Sequence, residues 1–322
     1  MAVWLTNTHR NGENMRRTLT RRHAIGAVAL GVLALGLVPS GARAAGDDKI
    51  IISGASGQLG HATVKALLAR GVPAKNLILV SRTPDTLAEF VKQGAIARFG
   101  DFGKPESLPA AYAGGTRMLL ISIGFSATPR PEAHKRAIDA AVKAGVKQIA
   151  YTSFVAISQG ETSGLASDHY QTEEILKKSG VAWTFLRNSI YSDVLLPQAA
   201  KMVAEGRVTV PATASRIGYV TRDDCAAAAA AVLATPGHDN KAYDITGPEL
   251  IGPREVAAAA SAVTGRKIAE VQADPNAPSP RSFGGPALEV VSTAVKDLTG
   301  RPPMSLKQLF AANRDKLLGG SH

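Results

Sequence analysis

Apolar runs alternate with amphipathic segments over most of the chain. Short, continuous apolar runs predict buried strands at 50–53, 76–80, 95–99, 118–122, 147–152 and 182–186. Between them, apolar residues recur at helical spacing, which predicts helices at 61–70, 84–93, 131–144 and 167–178. Alternating strands and helices, with uniformly apolar strands, are typical of a parallel sheet covered on both faces. We therefore predict an α/β fold, a doubly wound Rossmann sheet with strand order 3-2-1-4-5-6.

Beyond about residue 190 the alternation becomes less regular. Strands are predicted at 207–210, 217–220 and 241–246, and helices at 223–234, 253–263 and 304–318. Residues 273–286 are rich in proline, glycine, serine and asparagine, which predicts a loop. The sequence thus divides into a Rossmann domain at 45–190 and a smaller C-terminal region at 191–318.

The first 44 residues have the composition of a signal peptide. Two arginine pairs precede an uncharged, mostly apolar stretch at 24–38, and the small residues Ala42 and Ala44 then form a cleavage pattern. The arginine pair before that stretch resembles a twin-arginine export signal. We therefore expect an exported protein, periplasmic in a bacterium, with no membrane span after processing. An uncleaved anchor, a start at Met15 instead of Met1, and a cytoplasmic protein whose signal is not used are the alternatives.

The composition excludes several classes of function. The net charge is +11, but residues 1–44 hold six arginines and one glutamate, which leaves +6 for the remainder. No dense basic run with interleaved aromatic residues occurs, so nucleic-acid binding is not supported. The single cysteine, Cys225, excludes an internal disulfide and a cysteine metal cluster, and we expect it to be a small buried residue. No spacing of metal ligands predicts a metal site.

Three glycines follow the first apolar run and open a helical segment, in the sequence 54–60. A strand, a glycine-rich turn and a helix in this order predict dinucleotide binding. Gly54 permits the tight turn, Gly57 lets the backbone approach a pyrophosphate, and Gly60 lets the helix pack close to the strand. The spacing is G-x-x-G-x-x-G, and the alternative is an ordinary glycine-rich turn.

The end of the second predicted strand indicates which nucleotide binds. An acidic residue there would bind the ribose 2′-hydroxyl of NAD. This chain has Ser81 and Arg82 instead, and a guanidinium can hold a 2′-phosphate through two charge-assisted hydrogen bonds. We therefore predict NADP(H) over NAD(H), with a solvated surface arginine as the alternative.

Six sequence blocks in order resemble the NmrA-like atypical short-chain dehydrogenases, and most closely their NADPH:quinone oxidoreductase type 2 branch. The blocks are GASGQLGH at 54–61, SRTP at 81–84, LLIS at 119–122, IAYTS at 149–153, LRNSIYS at 186–192 and YVTRDD at 219–224. The resemblance runs from about residue 50 to 265 and implies a C-terminal region that covers the substrate.

The resemblance also implies roles for individual positions. The pyrophosphate would lie against Gly54, Ala55, Ser56, Gly57, Gln58 and Leu59, with Gly60 behind them, and the 2′-phosphate against Arg82. Ser122, Ile123 and Gly124 would border the nicotinamide, and Asn188 and Tyr191 would lie in the loop beside nicotinamide and substrate. Thr221 and Arg222 would close the cleft. All lie beyond the carboxyl ends of predicted strands or in the C-terminal region.

Short-chain dehydrogenases usually carry Tyr-x-x-x-Lys on the helix after the fifth strand. Here the residue four positions after Tyr170 is Glu174, not lysine. When the chain is aligned with the family, His169 stands in the place of the tyrosine and Glu173 in the place of the lysine. An alcohol dehydrogenase mechanism is therefore disfavoured, because a neighbouring carboxylate would raise the pKa of the tyrosine. Reduction of a quinone depends less on a proton donor than alcohol dehydrogenase chemistry does, because a quinone is a strong hydride acceptor.

Candidates for orienting a quinone carbonyl are His169, Tyr170 and Asn188, and Phe154 and Tyr191 could stack on a flat ring. Alternatively, His169 is a histidine on the helix surface without a role, and the aromatic residues pack in the core.

We expect direct hydride transfer from NADPH to a quinone-like acceptor, without flavin or metal. A second hypothesis is a non-catalytic NADP(H) sensor that binds a partner protein. A sugar-nucleotide epimerase or an isoflavone-type reductase is disfavoured, since the former needs the missing Tyr-Lys pair and the latter a better-placed lysine. The sequence leaves open the acceptor, whether turnover occurs, how the cofactor is recycled outside the cytoplasm, and the oligomeric state, for which a homodimer is one possibility.

Overall fold

A seven-stranded sheet forms the centre of the protein, with strand order β3-β2-β1-β4-β5-β6-β8 and every neighbouring pair parallel. Its strands are β1 (Ile50–Ser53), β2 (Leu77–Ser81), β3 (Ile96–Phe99), β4 (Arg117–Leu120), β5 (Gln148–Phe154), β6 (Ala182–Asn188) and β8 (Lys241–Ile245). The computed structural model describes residues 48–124, 128–155, 157, 164–211, 214–274 and 286–319. The predicted signal peptide lies outside these residues.

The helices on the two faces of the sheet bury it completely at its centre, where β1 and β4 lie side by side. One face is covered by α1 (Gln58–Ala69) and α7 (Arg222–Ala234), the other by α3 (Leu108–Tyr112), α4 (Arg130–Lys143) and α5 (Gly164–Lys177), and the short α2 (Ala88–Val91) lies near the β3 edge. Helix α7 is rich in alanine, and its small side chains allow it to pack closely against α1. Burial on both faces explains the continuous apolar runs.

The predicted Rossmann topology is confirmed and extended by one strand. The chain crosses from the β3 edge back to β4, so the order reverses between β1 and β4. Crossovers on either side of this point leave a crevice at the carboxyl ends of the strands, where ligands bind in such sheets. The seventh strand, β8, comes from the C-terminal region and pairs with β6.

The C-terminal region forms a second layer next to the carboxyl ends of β5 and β6. It contains α6 (Leu195–Glu205), β7 (Arg207–Val210), α8 (Pro253–Thr264), β9 (Ala269–Gln272), α10 (Leu306–Ala312) and α11 (Arg314–Leu317). Helix α9 (Ala294–Thr299) packs instead against α7, in the apolar cluster on the face of the sheet. Strands β7 and β9 form a separate parallel pair, and α6, α8, α10 and α11 share one apolar cluster.

Several predicted boundaries differ from the structure. The segment 217–220 is not a strand but forms isolated bridges through Ile217 and Val220. Its amides donate to three different parts of the chain, at Ile251, Leu288 and Ile190, so no continuous ladder forms. The predicted helix at 84–93 is a 3-10 turn followed by the short α2. The predicted helix at 304–318 is divided at Asn313 into α10 and α11.

The predicted burial of Cys225 can also be compared with the structure. Cys225 is buried within α7, as expected for a structural residue. Within the described ranges, no helix is long and apolar enough to cross a membrane, and no group of three or more histidine, cysteine or acidic side chains could hold a metal ion.

Candidate functional site

The glycine turn joins β1 to α1 at the reversal point of the sheet. Gly54 has φ +96°, a left-handed conformation that favours glycine, and its amide donates to the Val80 carbonyl of the neighbouring strand. A side chain on Gly60 would place Cβ only 2.2 Å from the Gly54 carbonyl oxygen. The two glycines therefore bring the start of α1 directly against the turn.

The start of α1 is suited to an anion. No side chain caps the helix at Gly57, and its first turn carries no acidic residue. The amides of the first turn and the positive end of the helix dipole thus favour a phosphate. Ser56, in the same turn, accepts a hydrogen bond of 2.6 Å from the Ser81 hydroxyl, which ties the turn to the end of β2.

Arg82 follows Ser81 at the carboxyl end of β2. Its side chain is exposed, and it forms no hydrogen bond or ion pair with any residue in the described part of the chain. Ser81 is buried, and its hydroxyl accepts from the Thr83 amide at 2.9 Å, which fixes the backbone on both sides of the arginine. Arg82 therefore projects from a rigid turn with its guanidinium available.

A large cavity opens beside this turn, between the carboxyl ends of β4, β5 and β6 and the C-terminal layer. Its volume is about 1040 Å³. Residues of the sheet end and its neighbouring helices line one side: Ser122, Ile123, Gly124, Arg130, Thr152, Ser153, Phe154, Leu165, His169, Asn188, Ser189, Ile190 and Tyr191. The C-terminal layer lines the other: Val194, Leu195, Gln198, Met202, Thr209, Pro211, Ala214, Ser215, Ile217, Tyr219, Ile251, Gly252, Pro253 and Val256.

The glycine turn and the cavity are in direct contact through β4. The Ile121 amide donates to the Ser53 carbonyl. A Cβ atom built on Gly54 would lie 3.3 Å from Cβ of Ile121. Ser122, the next residue, already lines the cavity. The turn and the cavity are therefore adjacent, with Ile121 between them.

Arg130 is the only charged side chain among the described lining residues, and its charge is already balanced. It donates from Nε to the Ile123 carbonyl at 2.8 Å and pairs with Asp168 at 2.8 Å, and only 9% of its side chain is exposed. The remaining wall is apolar or carries neutral polar groups, so the cavity is suited to an uncharged ligand.

Two buried polar atoms in the wall have no hydrogen-bond partner among the described residues, Asn188 Oδ1 and Ser189 Oγ. Both residues lie at the carboxyl end of β6 and are at least nine-tenths buried. An unsatisfied buried polar atom is costly, which explains why so few occur in folded proteins. Both residues line the cavity.

His169 faces the same cavity from α5. Its ring stacks on Phe154 with centroids 5.9 Å apart, and its Nδ1 lies 2.7 Å from the buried hydroxyl of Tyr151. Burial, with the nearby Arg130 guanidinium, lowers the pKa of His169 from 6.5 to about 3. The ring is therefore neutral at physiological pH, and Nε2 is the nitrogen left to meet a ligand.

Glu173, which occupies the position of the family's lysine, is held away from any proton-transfer role. It is buried and accepts two hydrogen bonds from Arg187, at 2.8 and 3.0 Å, and one of 2.7 Å from Ser153. This pairing raises the pKa of Arg187. The group joins α5 to the ends of β5 and β6 and so supports the cavity wall.

The structure brings many of the predicted site residues together. Phe154, His169, Asn188, Tyr191 and the segment 122–124 all line the cavity, and 54–60 with Arg82 lie at the adjoining turn. Tyr170 is not among the lining residues.

Two predicted closing residues have partners in the C-terminal layer. Thr221 uses its hydroxyl to cap α7 by accepting from the Asp224 amide. Arg222 pairs with Asp193 at 2.9 Å and lies over the Tyr191 ring. Arg222 thus supports a cavity residue, whereas Thr221 is engaged within its own helix.

Sequence reasoning missed several residues of the site. Thr152 and Ser153 belong to a block already identified, and their positions at a strand end were the signal that could have found them. Arg130 and Tyr151 carried no such signal, because their contacts depend on how α4 and α5 pack against the sheet.

The residues present fit a nicotinamide dinucleotide. Gly54 and Gly60 hold the start of α1 close against the turn, and this uncapped helix start favours a pyrophosphate. Asn188 and Ser189, which carry the unpartnered atoms, line the cavity beside the turn.

Comparison with known proteins agrees with this geometry. The sequence profile of a family described as NAD(P)H-binding matches residues 54–236. Quinone oxidoreductase 2 of Escherichia coli strain K12 is 36% identical over 221 residues, which cover 68% of this chain and 76% of that protein. The resemblance stated from the sequence blocks is confirmed.

Two solved structures are also similar. NADPH-dependent quinone oxidoreductase from Escherichia coli, complexed with NADPH, superimposes with a TM-score of 0.72 at 31% identity, over 82% of this chain and 99% of that chain. Triphenylmethane reductase from Citrobacter sp., complexed with NADP(H), gives a TM-score of 0.72 at 30% identity over the same shares of the two chains.

Proposed function

The chain belongs to the NAD(P)H-binding family, and we propose on this premise that it is an oxidoreductase that reduces quinone-like acceptors with NADPH. The observation that carries the proposal is the cavity, which adjoins the glycine turn and is lined by His169, Asn188 and Ser189. When bound, reduced nicotinamide supplies a hydride, so that a quinone gaining it and one proton from water becomes a hydroquinone while the nicotinamide is left oxidised.

The residues of this chain bind and orient. The turn at 54–60 holds the pyrophosphate, the segment 122–124 borders the nicotinamide, and Asn188 supplies hydrogen-bonding groups at the same place. His169 donates from its neutral ring to a carbonyl oxygen of the acceptor, and Phe154 and Tyr191 confine a flat ring. Orientation alone can account for about 7–11 kcal/mol of a barrier, so a strong hydride acceptor needs no tyrosine–lysine pair.

The substrate class follows from the lining. The cavity is larger than a single ring requires, it is mostly apolar, and the one charge in its described wall is paired. We therefore propose uncharged quinone-like acceptors with apolar substituents. A flavin or metal has no part in this proposal.

NADPH is proposed over NADH because Arg82 projects, unpartnered, from the end of β2. An acidic residue, which would favour the 2′-hydroxyl of NAD, is absent from this turn.

A non-catalytic NADP(H) sensor is the second candidate, favoured by the missing tyrosine–lysine pair. The two functions are separated by loading the purified protein with NADPH and adding 1,4-benzoquinone. An enzyme consumes many equivalents of NADPH per protein only when quinone is present. A sensor binds NADPH with the same affinity but leaves it reduced, and this outcome would replace the reductase proposal.

Export is proposed from residues 1–44 alone. Fusion of these residues to a reporter that is active only outside the cytoplasm, with a twin-lysine variant of Arg21 and Arg22 as control, tests the route. Loss of reporter signal in the control supports a twin-arginine signal, whereas a cytoplasmic reporter with the native sequence contradicts export. The molar mass in solution tests the proposed homodimer.

A further inference from the structure

The direction of one backbone hydrogen bond determines the protonation of a buried histidine behind the cavity. The Ile123 amide, which can only donate, lies 3.1 Å from Nε2 of His134. Nε2 therefore carries no proton, and neutral His134 carries its proton on Nδ1. That nitrogen faces the Thr172 hydroxyl at 3.1 Å, and Thr172 in turn donates to the Asp168 carbonyl at 2.8 Å.

The neutrality of His134 follows from its surroundings. The side chain is fully buried in the described structure, and burial together with His169 and Arg130 lowers its pKa from 6.5 to about 3. An imidazolium would also lose the bond from the Ile123 amide, since both nitrogens would then be donors.

Tyr151 stands between the two histidines. Its hydroxyl is 3.4 Å from Nδ1 of His134 and 2.7 Å from Nδ1 of His169. Because His134 Nδ1 is protonated, it cannot accept from Tyr151. Burial raises the pKa of Tyr151, so the hydroxyl keeps its proton. Of the two imidazole nitrogens within reach, only Nδ1 of His169 can accept from the Tyr151 hydroxyl, across the shorter contact. Thr172, the other side chain bonded to this hydroxyl, already faces the protonated Nδ1 of His134 and gives its own proton to the Asp168 carbonyl.

We infer that Tyr151 is a positioning residue that holds His169 in the tautomer with its proton on Nε2, so that His169 donates to a carbonyl oxygen bound in the cavity. The inference rests on the proposed function for the identity of the carbonyl compound. The chain from the Ile123 amide through His134 and Tyr151 ends at the cavity wall, and the same Ile123 lines that cavity.

The first test reads the tautomer and does not depend on turnover. The full protein is labelled with ¹⁵N in the histidine rings, and the signals of His169 are assigned by their loss in His169→Gln. We expect a protonated Nε2 and an unprotonated, hydrogen-bonded Nδ1. In Tyr151→Phe, the ¹⁵N resonance of Nδ1 should move toward the chemical shift of a nitrogen without a hydrogen bond. A proton on Nδ1 in the wild type, or no change in Tyr151→Phe, overturns the inference.

The second test asks whether Nε2 meets the ligand. Addition of 1,4-naphthoquinone without NADPH should shift the His169 Nε2–H signal while the His134 signals stay in place. An unchanged Nε2–H signal at saturating quinone contradicts the assigned donor.

The third test is kinetic. Tyr151→Phe should lower kcat by about 5- to 10-fold with little change in KM, since a lost hydrogen bond costs up to about that factor. His169→Gln, whose amide can take the place of Nε2, should retain more activity than His169→Asn, whose amide reaches only the place of Nδ1. Tyr112→Phe removes an equally buried hydroxyl, bonded to Ser53, and is the matched control with unchanged kcat.

The outcomes separate the two proposals. Equal losses in His169→Gln and His169→Asn, or in Tyr151→Phe and Tyr112→Phe, overturn the positioning role. If the wild type reduces no quinone, the proposed function fails, while the tautomer and the naphthoquinone shift still decide whether Tyr151 positions His169.

Discussion

The hydroxyl of Tyr151 lies 2.7 Å from Nδ1 of His169, on β5 and α5 respectively, directly behind the wall of the cavity. His134 lies on the other side of the same hydroxyl. The protein thus buries two neutral histidines around one tyrosine, next to its proposed active site. This arrangement has consequences for stability as well as for activity.

The two histidines should make the fold sensitive to mild acid. Each has a pKa of about 3 when folded and about 6.5 when unfolded. Below pH 6.5 the unfolded chain binds protons that the folded protein does not, so the free energy of unfolding falls as the pH falls from 6.5 toward 3. Each histidine should cost about 2 kcal/mol at pH 5 relative to neutral pH.

Denaturant unfolding at pH 7.5 and pH 5 measures this dependence. His134→Gln, which keeps an amide able to accept from Ile123, should lose about one histidine's share of the pH effect. An equal pH effect in the variant and the wild type would mean that His134 does not contribute to the acid sensitivity.

Arg82 should determine the preference between the two nicotinamide dinucleotides. Arg82→Ala removes the proposed partner of the 2′-phosphate and should raise the KM for NADPH by about 10-fold, the low end for a charged hydrogen bond because the site is exposed. The KM for NADH should not change. Arg136→Ala, which removes the same charge from a surface ion pair on α4, is the control. Equal effects on both nucleotides would contradict the assignment.

The apolar wall should favour substituted acceptors. In a series of alkylated benzoquinones, kcat/KM should rise by up to about 4-fold for each added methylene until the chain fills the cavity. A sulfonated quinone of similar size should react more slowly, since Arg130 is already paired with Asp168. A flat response to chain length would show that acceptors do not enter the cavity beyond their ring.

Asp224 should anchor the segment 301–304 to α7. Its buried carboxylate accepts from Thr221, Arg301 and the Met304 amide. Asp224→Ala leaves these donors unpaired and should reduce the free energy of unfolding by about 3 kcal/mol. Arg301→Ala should cost no more than about 1 kcal/mol, because half of that side chain is exposed. If urea titration gave similar losses in the free energy of unfolding for Asp224→Ala and Arg301→Ala, the stabilisation would come from the ion pair alone.

The sequence predicted the Rossmann part of the fold because its signals are local. Strands buried on both faces leave continuous apolar runs, and the glycines at 54–60 mark a turn with strict backbone demands. Strand β9 escaped prediction because all four of its residues are exposed, and α9 because it is a short helix beside a loop-rich segment. Such elements carry no apolar periodicity of their own.

The candidate site was predictable only in part. His169 and Asn188 follow from their positions on a helix and at a strand end, and both line the cavity. The partners that control His169 were not predictable, since the contact with Tyr151 arises only when α5 packs across β5. The direction of its hydrogen bond depends further on the Ile123 amide, which no sequence pattern reveals.

The central claim is the reduction of a quinone by bound NADPH. A single-turnover mixture under anaerobic conditions, with the protein loaded with one equivalent of NADPH and then given 1,4-naphthoquinone, tests it most directly. We predict that NADPH loss and hydroquinone formation proceed at one rate and in equal amounts. NADPH that stays bound and reduced after the quinone is added would contradict the account.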